Sequence, residues 1–374
     1  MKFLITAAGS GGHIYPALSL ANELKRRNKN AQITYLSSNK SIDRQIFNTT
    51  SDRVVGFDFI SPQRKTGVNL IKFYLKNLYF LLNFSKESIR VFFLIKAIKP
   101  DIVIGFGGIH SVAAIITAKL LNIPSLIHEQ NVAPGLANRM LCSLTSKVAI
   151  GFRKSNIYFK GRDVIFTGNP IRTELQRLDS TKARSILGLD INKFTILVVG
   201  GSQGAVFIND CFIKALNGLS VQRRSRLQVI HCCGIRDFVN TKKKYEDIEI
   251  MARIFAFCED MNSAYNVADL IIGRAGAATL NEICFFGKAS VLIPYPYAQA
   301  HQIANAEFMQ EAQAAAIIKQ DAMSASHLIS LIDVIMEQPQ VLESMAAKSR
   351  QLFCENSAQK LADVVIDIMR DENI

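Results

Sequence analysis

The chain runs through one arrangement twice: a short, nearly unbroken apolar run, a glycine-rich turn, then a longer stretch of helical periodicity. In the first half Lys2–Thr6 reads as a buried strand, Gly9–Gly12 as the turn and Pro16–Arg27 as the helix, with Pro16 in its first turn. Gln32–Ser37, Asp101–Gly105 and Pro124–His128 follow as strands, and Gly107-Gly108 opens a small-residue helix through Leu121. The pattern restarts at Phe194–Val199, with a turn at Gly200–Gly204 and a helix over Val206–Leu216. Gln228–Cys233, Ile254–Phe257, Leu270–Ile272 and Ser290–Pro294 are the later strands. A strand apolar along its whole length must be covered on both faces, and the alternating helices supply that cover. The expected fold is therefore α/β, two doubly wound Rossmann-like domains with parallel sheets. Their boundary is expected near Gly161–Asn169, giving domains 1–163 and 164–354. A last helix, Ser357–Arg370 within 355–374, could pack on either domain, including by a return to the first. Ligands of such sheets sit beyond the carboxyl ends of the strands, so the expected site is the cleft the two domains face across.

Composition narrows the class. With 374 residues, 49% hydrophobic and 20% charged, the chain can bury a core in each domain, which excludes wholesale disorder. Seven cysteines without a C-x-x-C pair indicate neither a disulfide framework nor a zinc site, and point to a reducing cytosol. The apolar start is too short for a signal peptide, and no run reaches about 18 apolar residues, as a spanning helix would need. The net charge of +13 is uneven: residues 1–165 carry 23 Lys/Arg against 8 Asp/Glu, or +15, and residues 166–374 carry 21 against 23, or −2. The first half either is simply solvated or seeks an anionic surface: lipid, nucleic acid or phosphorylated substrate. Val68–Phe84 is aromatic and apolar with only Lys72 and Lys76, and a second apolar-basic stretch, Ile89–Lys99, follows. These could be successive buried helices, or a helix lying in an anionic membrane interface with its lysines at the edge. No helix-turn-helix, OB or RRM signature accompanies the charge, so nucleic acid is not an expected partner.

Glycine-rich turns between strand and helix let backbone N–H groups approach a diphosphate at a helix N-terminus. Four such turns follow strands: Gly9-Ser-Gly-Gly-His13, Gly105-Phe-Gly-Gly108, Gly200-Gly-Ser-Gln-Gly204 and Gly273-Arg-Ala-Gly276. A dinucleotide-binding oxidoreductase fits poorly. Ile14 and His110 stand where the third glycine of G-x-G-x-x-G belongs, and the second strand ends in Ser37-Ser38 without an acid. The sequence contains no P-loop and no Asp-x-Asp.

The local combinations are more specific. Gly9-Ser-Gly-Gly-His-Ile-Tyr-Pro-Ala17, Gly105-Phe-Gly-Gly-Ile-His-Ser111 and His128-Glu-Gln-Asn131 with Pro134-Gly-Leu-Ala-Asn138 resemble the loops of one family. So do Gly168-Asn-Pro-Ile-Arg172, Gly200-Gly-Ser-Gln-Gly-Ala205, Arg274-Ala-Gly-Ala-Ala-Thr-Leu-Asn-Glu282 and His301-Gln-Ile-Ala-Asn-Ala306. That family is the bacterial cell-wall glycosyltransferases that add N-acetylglucosamine (GlcNAc) to lipid I, the MurG family. The matches run in order from residue 3 to about 318. Single motifs also suit wider relatives, such as glycolipid synthases or nucleotide-sugar epimerases.

The resemblance implies a GT-B fold and an inverting transfer. GlcNAc passes from UDP-GlcNAc to the C4 hydroxyl of the muramyl sugar of undecaprenyl-pyrophosphoryl-MurNAc-pentapeptide (lipid I), giving lipid II. The N-terminal domain would hold the acceptor and the membrane, and the C-terminal domain the donor. By the same resemblance Glu282 takes the ribose hydroxyls, and the N–H groups of Ala277, Ala278 and Thr279 face the diphosphate. Ser202, Gln203 and Gly204 meet the diphosphate or leaving UDP, Arg172 neutralises phosphate, and the uracil meets backbone at Phe257-Cys258. Arg274 is either a second phosphate ligand or a brace for its loop. His301, Gln302 and Asn305 bind the sugar hydroxyls, although Ala300 replaces an acid frequent in the family. On the acceptor side Ser10, Gly11, Gly12, Gly107, Gly108 and His110 suit the acceptor and its diphosphate, and Asn131 orients its sugar. His13 or Glu129 is the expected base, and His13 could equally bond the acceptor pyrophosphate or its own loop. No tightly bound cofactor and no protein metal site is expected, with Mg2+ left as a stimulant. The expected partners are UDP-GlcNAc, lipid I and an anionic membrane surface at the cytoplasmic face, with other cell-wall synthesis and division proteins as candidates.

Overall fold

The computed structural model describes residues 1–9, 11–60, 70–201, 204–296 and 301–371, with residues 70–73 as backbone only. The chain divides into two compact units, Met1–Arg172 with Cys354–Ile374, and Thr173–Phe353.

The first unit runs β1 (Lys2–Thr6), α1 (Gly11–Arg27), β2 (Gln32–Ser38), α2 (Ser41–Phe47), β3 (Arg53–Phe57), α3 (Leu70–Ile98), β4 (Ile102–Gly105), α4 (Gly108–Leu120), β5 (Ser125–Glu129), α5 (Leu136–Leu141), β6 (Lys147–Ile150) and β7 (Val164–Phe166). Its strands lie in the order β3-β2-β1-β4-β5-β6-β7, and the pairs are parallel. Successive residues of β1 point to opposite faces. Phe3 and Ile5 enter a core with Leu20 and Leu24 of α1, whereas Leu4 enters one with Val91 and Ile95 of α3 and Ala114 and Ala118 of α4. Burial on both sides explains why these strands read as unbroken apolar runs.

The second unit runs α6 (Ser180–Leu187), β8 (Phe194–Val199), α7 (Val206–Gly218), α8 (Val221–Ser225), β9 (Leu227–Cys232), α9 (Phe238–Glu246), β10 (Met251–Phe255), α10 (Met261–Val267), β11 (Leu270–Gly273), α11 (Ala277–Phe286), β12 (Ala289–Leu292), α12 (His301–Glu311), β13 (Ala315–Ile317), α13 (Ala325–Glu337) and α14 (Pro339–Gln351). Its parallel sheet has the order β10-β9-β8-β11-β12-β13. The final helix, α15 (Ser357–Asp371), returns to the first unit. Leu361, Val365 and Ile368 join the core around α1, Arg27 Nη2 donates to the Gln359 carbonyl at 2.9 Å, and Ser357 Oγ donates to the Asn169 carbonyl at 3.0 Å.

Several sequence expectations move. The boundary lies beyond residue 163, because Val164–Phe166 pairs with β6 as the seventh strand of the first sheet. The first helix starts at Gly11, so Pro16 sits inside it, where its missing N–H leaves the Gly12 carbonyl without the usual helical donor. The expected strand at Ile254–Phe257 is β10, Met251–Phe255, so Phe257 lies in the turn after it. β3, β6, β7 and β13 were not foreseen, being three to five residues long and in part half-exposed.

The largest change concerns α3. From Leu70 to Ile98 the two apolar-basic stretches form one continuous helix of 29 residues, while Val68 and Asn69 lie outside the described residues. Its C-terminal half is anchored by Val91 and Ile95, and Phe84 packs against Phe59 at 5.7 Å. The N-terminal half stands out from the core. Tyr74, Leu75, Leu78, Tyr79, Leu81 and Leu82 are 54–67% exposed, and Ile89 and Phe93 continue the exposed series. At about 100° per residue, Leu75, Leu78, Tyr79, Leu82, Ile89 and Phe93 fall within about 100° of one another, a largely apolar face that the exposed Lys86 shares. Among the described residues no helix is long and apolar enough to cross a membrane.

Candidate active site

In each sheet the strand order reverses once, and ligands of doubly wound sheets bind at that switch point. In the first unit it lies between β1 and β4, the strands that lead into Gly9–Gly12 and Gly105–Gly108. In the second it lies between β8 and β11, which lead into Gly200–Gly204 and Gly273–Gly276. All four glycine turns thus arise at the two switch points.

In the first unit, Gly107 (φ +93°) caps α4, and a Cβ there would sit 3.4 Å from His13 Cε1 and 3.6 Å from Asn138 Nδ2. The close approach brings the start of α1, the start of α4 and α5 to one place. His13 Nδ1 lies 2.8 Å from Gln130 Oε1. Asn138 Oδ1 is buried without a hydrogen-bond partner among the described residues. Gly9 N–H donates to Asp43 at 2.8 Å, which ties the first loop to α2. Gly11 and Gly12 open α1, and Gly108 (φ +77°) opens α4 with nothing within 4 Å of the Cβ position. Ser10 lies outside the described residues.

Glu129 is not placed as a base would be. It is 1% exposed. Its Oε1 accepts from Asn131 N at 2.8 Å and Asn131 Nδ2 at 3.0 Å. Its Oε2 accepts from Gly135 N at 3.0 Å and Asn138 Nδ2 at 2.8 Å. Four donors on two oxygens make this carboxylate the organiser of the 131–138 loop. Asn131, expected to orient a sugar, has its side-chain amide on Glu129. His110 also departs from expectation. It is buried edge-on against Phe59 at 5.0 Å, with Nε2 3.4 Å from the Phe57 carbonyl, and burial lowers its pKa. It packs the first turn of α4 against the chain at Phe57–Phe59. Arg172 belongs to the first unit, with its guanidinium 4.9 Å from the Tyr15 ring centre on α1.

In the second unit, backbone contact fixes the turn after β8. A Cβ on Gly204 (φ +75°) would lie 2.2 Å from the Cys233 carbonyl oxygen, and one on Gly200 2.4 Å from Ala205 N. Ser202 and Gln203 lie outside the described residues. α11 starts at Ala277 after Gly276, so the N–H groups of Ala277, Ala278 and Thr279 have no helical acceptor, the arrangement that receives anions. Glu282, one turn further along α11, is buried and accepts from Tyr265 Oη at 2.8 Å. Tyr265 in turn stacks on Phe286 at 5.1 Å. Phe257 and the buried Cys258 follow β10.

Arg274 is a brace. Nη1 donates to the Ile293 carbonyl at 3.1 Å, and Nη2 to Gln320 Oε1 at 2.7 Å. The guanidinium lies 5.2 Å from the Tyr295 ring centre. At the opening of α12, Gln302 Oε1 accepts from Tyr295 N at 3.0 Å, and Asn305 Nδ2 donates to the Ala275 carbonyl at 3.0 Å. These two amides hold the loops around α11, and His301 begins the same helix. Ala300 lies outside the described residues. Sequence reasoning gave no role to His128, Gln130, Asn138, Tyr265 or Asp43. The first three lie in quoted motifs, but tertiary contacts alone reveal their partners.

Residues 3–150 match the glycosyltransferase family 28 N-terminal domain, and residues 195–364 match the glycosyltransferase family 28 C-terminal domain. The chain is 35% identical over 379 residues to the UDP-N-acetylglucosamine--N-acetylmuramyl-(pentapeptide) pyrophosphoryl-undecaprenol N-acetylglucosamine transferase of Thermoanaerobacter sp. (strain X514), covering 98% of this chain and 100% of that one. Among solved structures it is similar to Acinetobacter baumannii MurG, with TM-score 0.77 and 31% identity over 98% of this chain and 99% of that one. The UDP-GlcNAc 2-epimerase of Neisseria meningitidis shares the fold, with TM-score 0.69 and 15% identity over 98% of this chain and 100% of that one. Near-full-length identity and both family domains in order lead to one conclusion: the chain belongs to the family of UDP-N-acetylglucosamine--N-acetylmuramyl-(pentapeptide) pyrophosphoryl-undecaprenol N-acetylglucosamine transferases, the MurG family.

Proposed function

We propose that the protein transfers GlcNAc from UDP-GlcNAc to the C4 hydroxyl of the muramyl sugar of lipid I, with inversion at the anomeric carbon. The observation that carries the reading is the match along 98% of the chain to a transferase named for that reaction. The second unit holds the donor. The open N–H groups at Ala277–Thr279 receive the diphosphate, and Glu282, steadied by Tyr265, accepts from the ribose hydroxyls. The first unit holds the acceptor, with Gly107 and Gly108 admitting its diphosphate beside His13.

In the chemical step the C4 oxygen attacks the anomeric carbon from the face opposite UDP. Its proton passes to His13 as the new C–O bond forms, and the bond to the β-phosphate oxygen breaks with its electron pair leaving on UDP. Helix N-termini meet the developing phosphate charge. Because its oxygens already accept four hydrogen bonds, Glu129 shapes the acceptor loop and leaves proton removal to His13. The exposed face of α3, with Lys86 within it and Lys76 and Arg90 to one side, lies in the interface of an anionic leaflet and delivers the lipid-linked acceptor.

The test is transfer of labelled GlcNAc from UDP-GlcNAc to a short-chain lipid I analogue, with and without His13→Ala. Transfer by the parent and a loss of about 10²-fold or more in kcat with UDP affinity unchanged are expected. A parent that binds UDP-GlcNAc yet transfers nothing to this acceptor would refute the acceptor assignment.

A further inference from the structure

His13 stands at the end of a buried hydrogen-bond chain, and that chain has a direction. Its far end is the Gly168 carbonyl, which only accepts, 3.0 Å from His128 Nε2. His128 therefore carries its proton on Nε2. Its ring is fully buried, which brings its pKa down to about 4, so near pH 7 it is neutral and Nδ1 holds a lone pair. Gln130 Nε2 lies 3.0 Å from that Nδ1 and 2.8 Å from the His128 carbonyl oxygen. Both are acceptors, so both amide hydrogens of Gln130 point there and the NH2 end of the side chain is fixed. The amide oxygen must then face His13, 2.8 Å from its Nδ1. An amide oxygen cannot donate, so Nδ1 of His13 carries the proton and the lone pair is left on Nε2.

We infer that Gln130, backed by His128, is a positioning residue that locks His13 in the Nδ1–H tautomer and leaves Nε2 as the proton acceptor. The opposite tautomer would require the Gln130 amide to turn over. Its oxygen would then meet the His128 lone pair and the His128 carbonyl, two repulsive contacts between buried groups. Gln130 is itself buried, and its backbone carbonyl accepts from Asn169 Nδ2 at 2.9 Å, so the side chain has little freedom to adopt another arrangement. The inference rests on His13 being the base, and its test keeps the two ideas separate.

The tautomer is read directly from 15N shifts in full-length protein labelled at histidine nitrogen, with the His13 signals identified by their absence from His13→Ala. The expected spectrum shows a protonated Nδ1 and an unprotonated Nε2 at His13. In Gln130→Met, which keeps length but neither donates nor accepts through an amide, His13 should shift toward Nε2–H. Its kcat should fall at least about tenfold, with acceptor KM and UDP affinity within about twofold, since a misplaced imidazole proton disables the base without disturbing binding. Nε2–H at His13 in the parent overturns the inference, as does a Gln130→Met protein that keeps the parent tautomer or the parent kcat. The parent spectrum stands even if the variant fails to fold. A His13→Ala protein with parent kcat refutes the base reading instead, whatever the tautomer.

Discussion

Placing glutamate at both Leu78 and Leu82 should release the protein from anionic membranes without harming its fold. The two side chains are 54% and 63% exposed, so roughly half of each is already against protein and the rest is available to lipid. Full burial of a leucine is worth about 1.5–3 kcal/mol, which leaves about 1 kcal/mol for each exposed part. Each new carboxylate adds repulsion of about 1 kcal/mol at an anionic surface. The pair therefore loses about 4 kcal/mol, or about 10³-fold in partitioning. Serine at both sites removes only the apolar share, about 2 kcal/mol or about 30-fold. The assay is sedimentation with phosphatidylglycerol-containing vesicles at low and high salt, alongside thermal unfolding and transfer to a water-soluble acceptor. Salt should narrow the gap between the glutamate and serine pairs, because only the charge contribution is screened. Partitioning of the glutamate pair within threefold of the parent would refute the interfacial role of α3.

Three further outcomes are expected. Gly204→Ala puts a Cβ 2.2 Å from the Cys233 carbonyl at φ +75°. It should destabilise the second unit by about 2–3 kcal/mol and lower its unfolding midpoint by about 5–10 °C, and a drop under about 2 °C would contradict the close approach. Tyr265→Phe removes the bond to Glu282; UDP binding by calorimetry should weaken about fivefold, and unchanged affinity would show that Glu282 needs no steadying. Acid should destabilise both units. Burial lowers the pKa of His128 to about 4 and of His231 to about 3, so below about pH 6.5 the unfolded chain binds protons that the folded chain excludes. Stability is full above that pH and falls by up to about 1.4 kcal/mol per unit per imidazole on the way to pH 4. Urea unfolding at pH 7 and pH 5 reads the slope, and flat midpoints would deny the buried neutral rings.

The sheets were legible because a parallel strand covered on both faces carries its burial in its own composition. β1, β4, β8 and β11, each central to its sheet, are the plainest cases. The short outer strands β3 and β13 were not, since half-burial leaves no unbroken apolar run. The glycine turns were legible as turns. Their need for glycine at Gly204 comes from the Cys233 carbonyl, about 30 residues away, which no local pattern encodes. The roles of single polar residues were least legible. Glu129 and His110 sit in motifs that invite chemistry, yet one is saturated by four N–H donors and the other is packed on Phe59. Whether a carboxylate or imidazole faces a substrate or its own backbone depends on contacts across loops.

The return of α15 to α1 has a consequence for how the molecule is made. The first sheet emerges from the ribosome early, but the surface of α1 that Leu361, Val365 and Ile368 cover must wait for residues 357–371. At about 5–20 residues per second, the intervening stretch keeps that surface open for roughly 10–40 s. The second unit, made meanwhile as one uninterrupted segment from Thr173 to Phe353, has all its own strands before the first can close. Synthesis order and completion order are therefore expected to be opposite, and tension on a stalled nascent chain would show it as a late folding event only after Asp371 clears the exit tunnel.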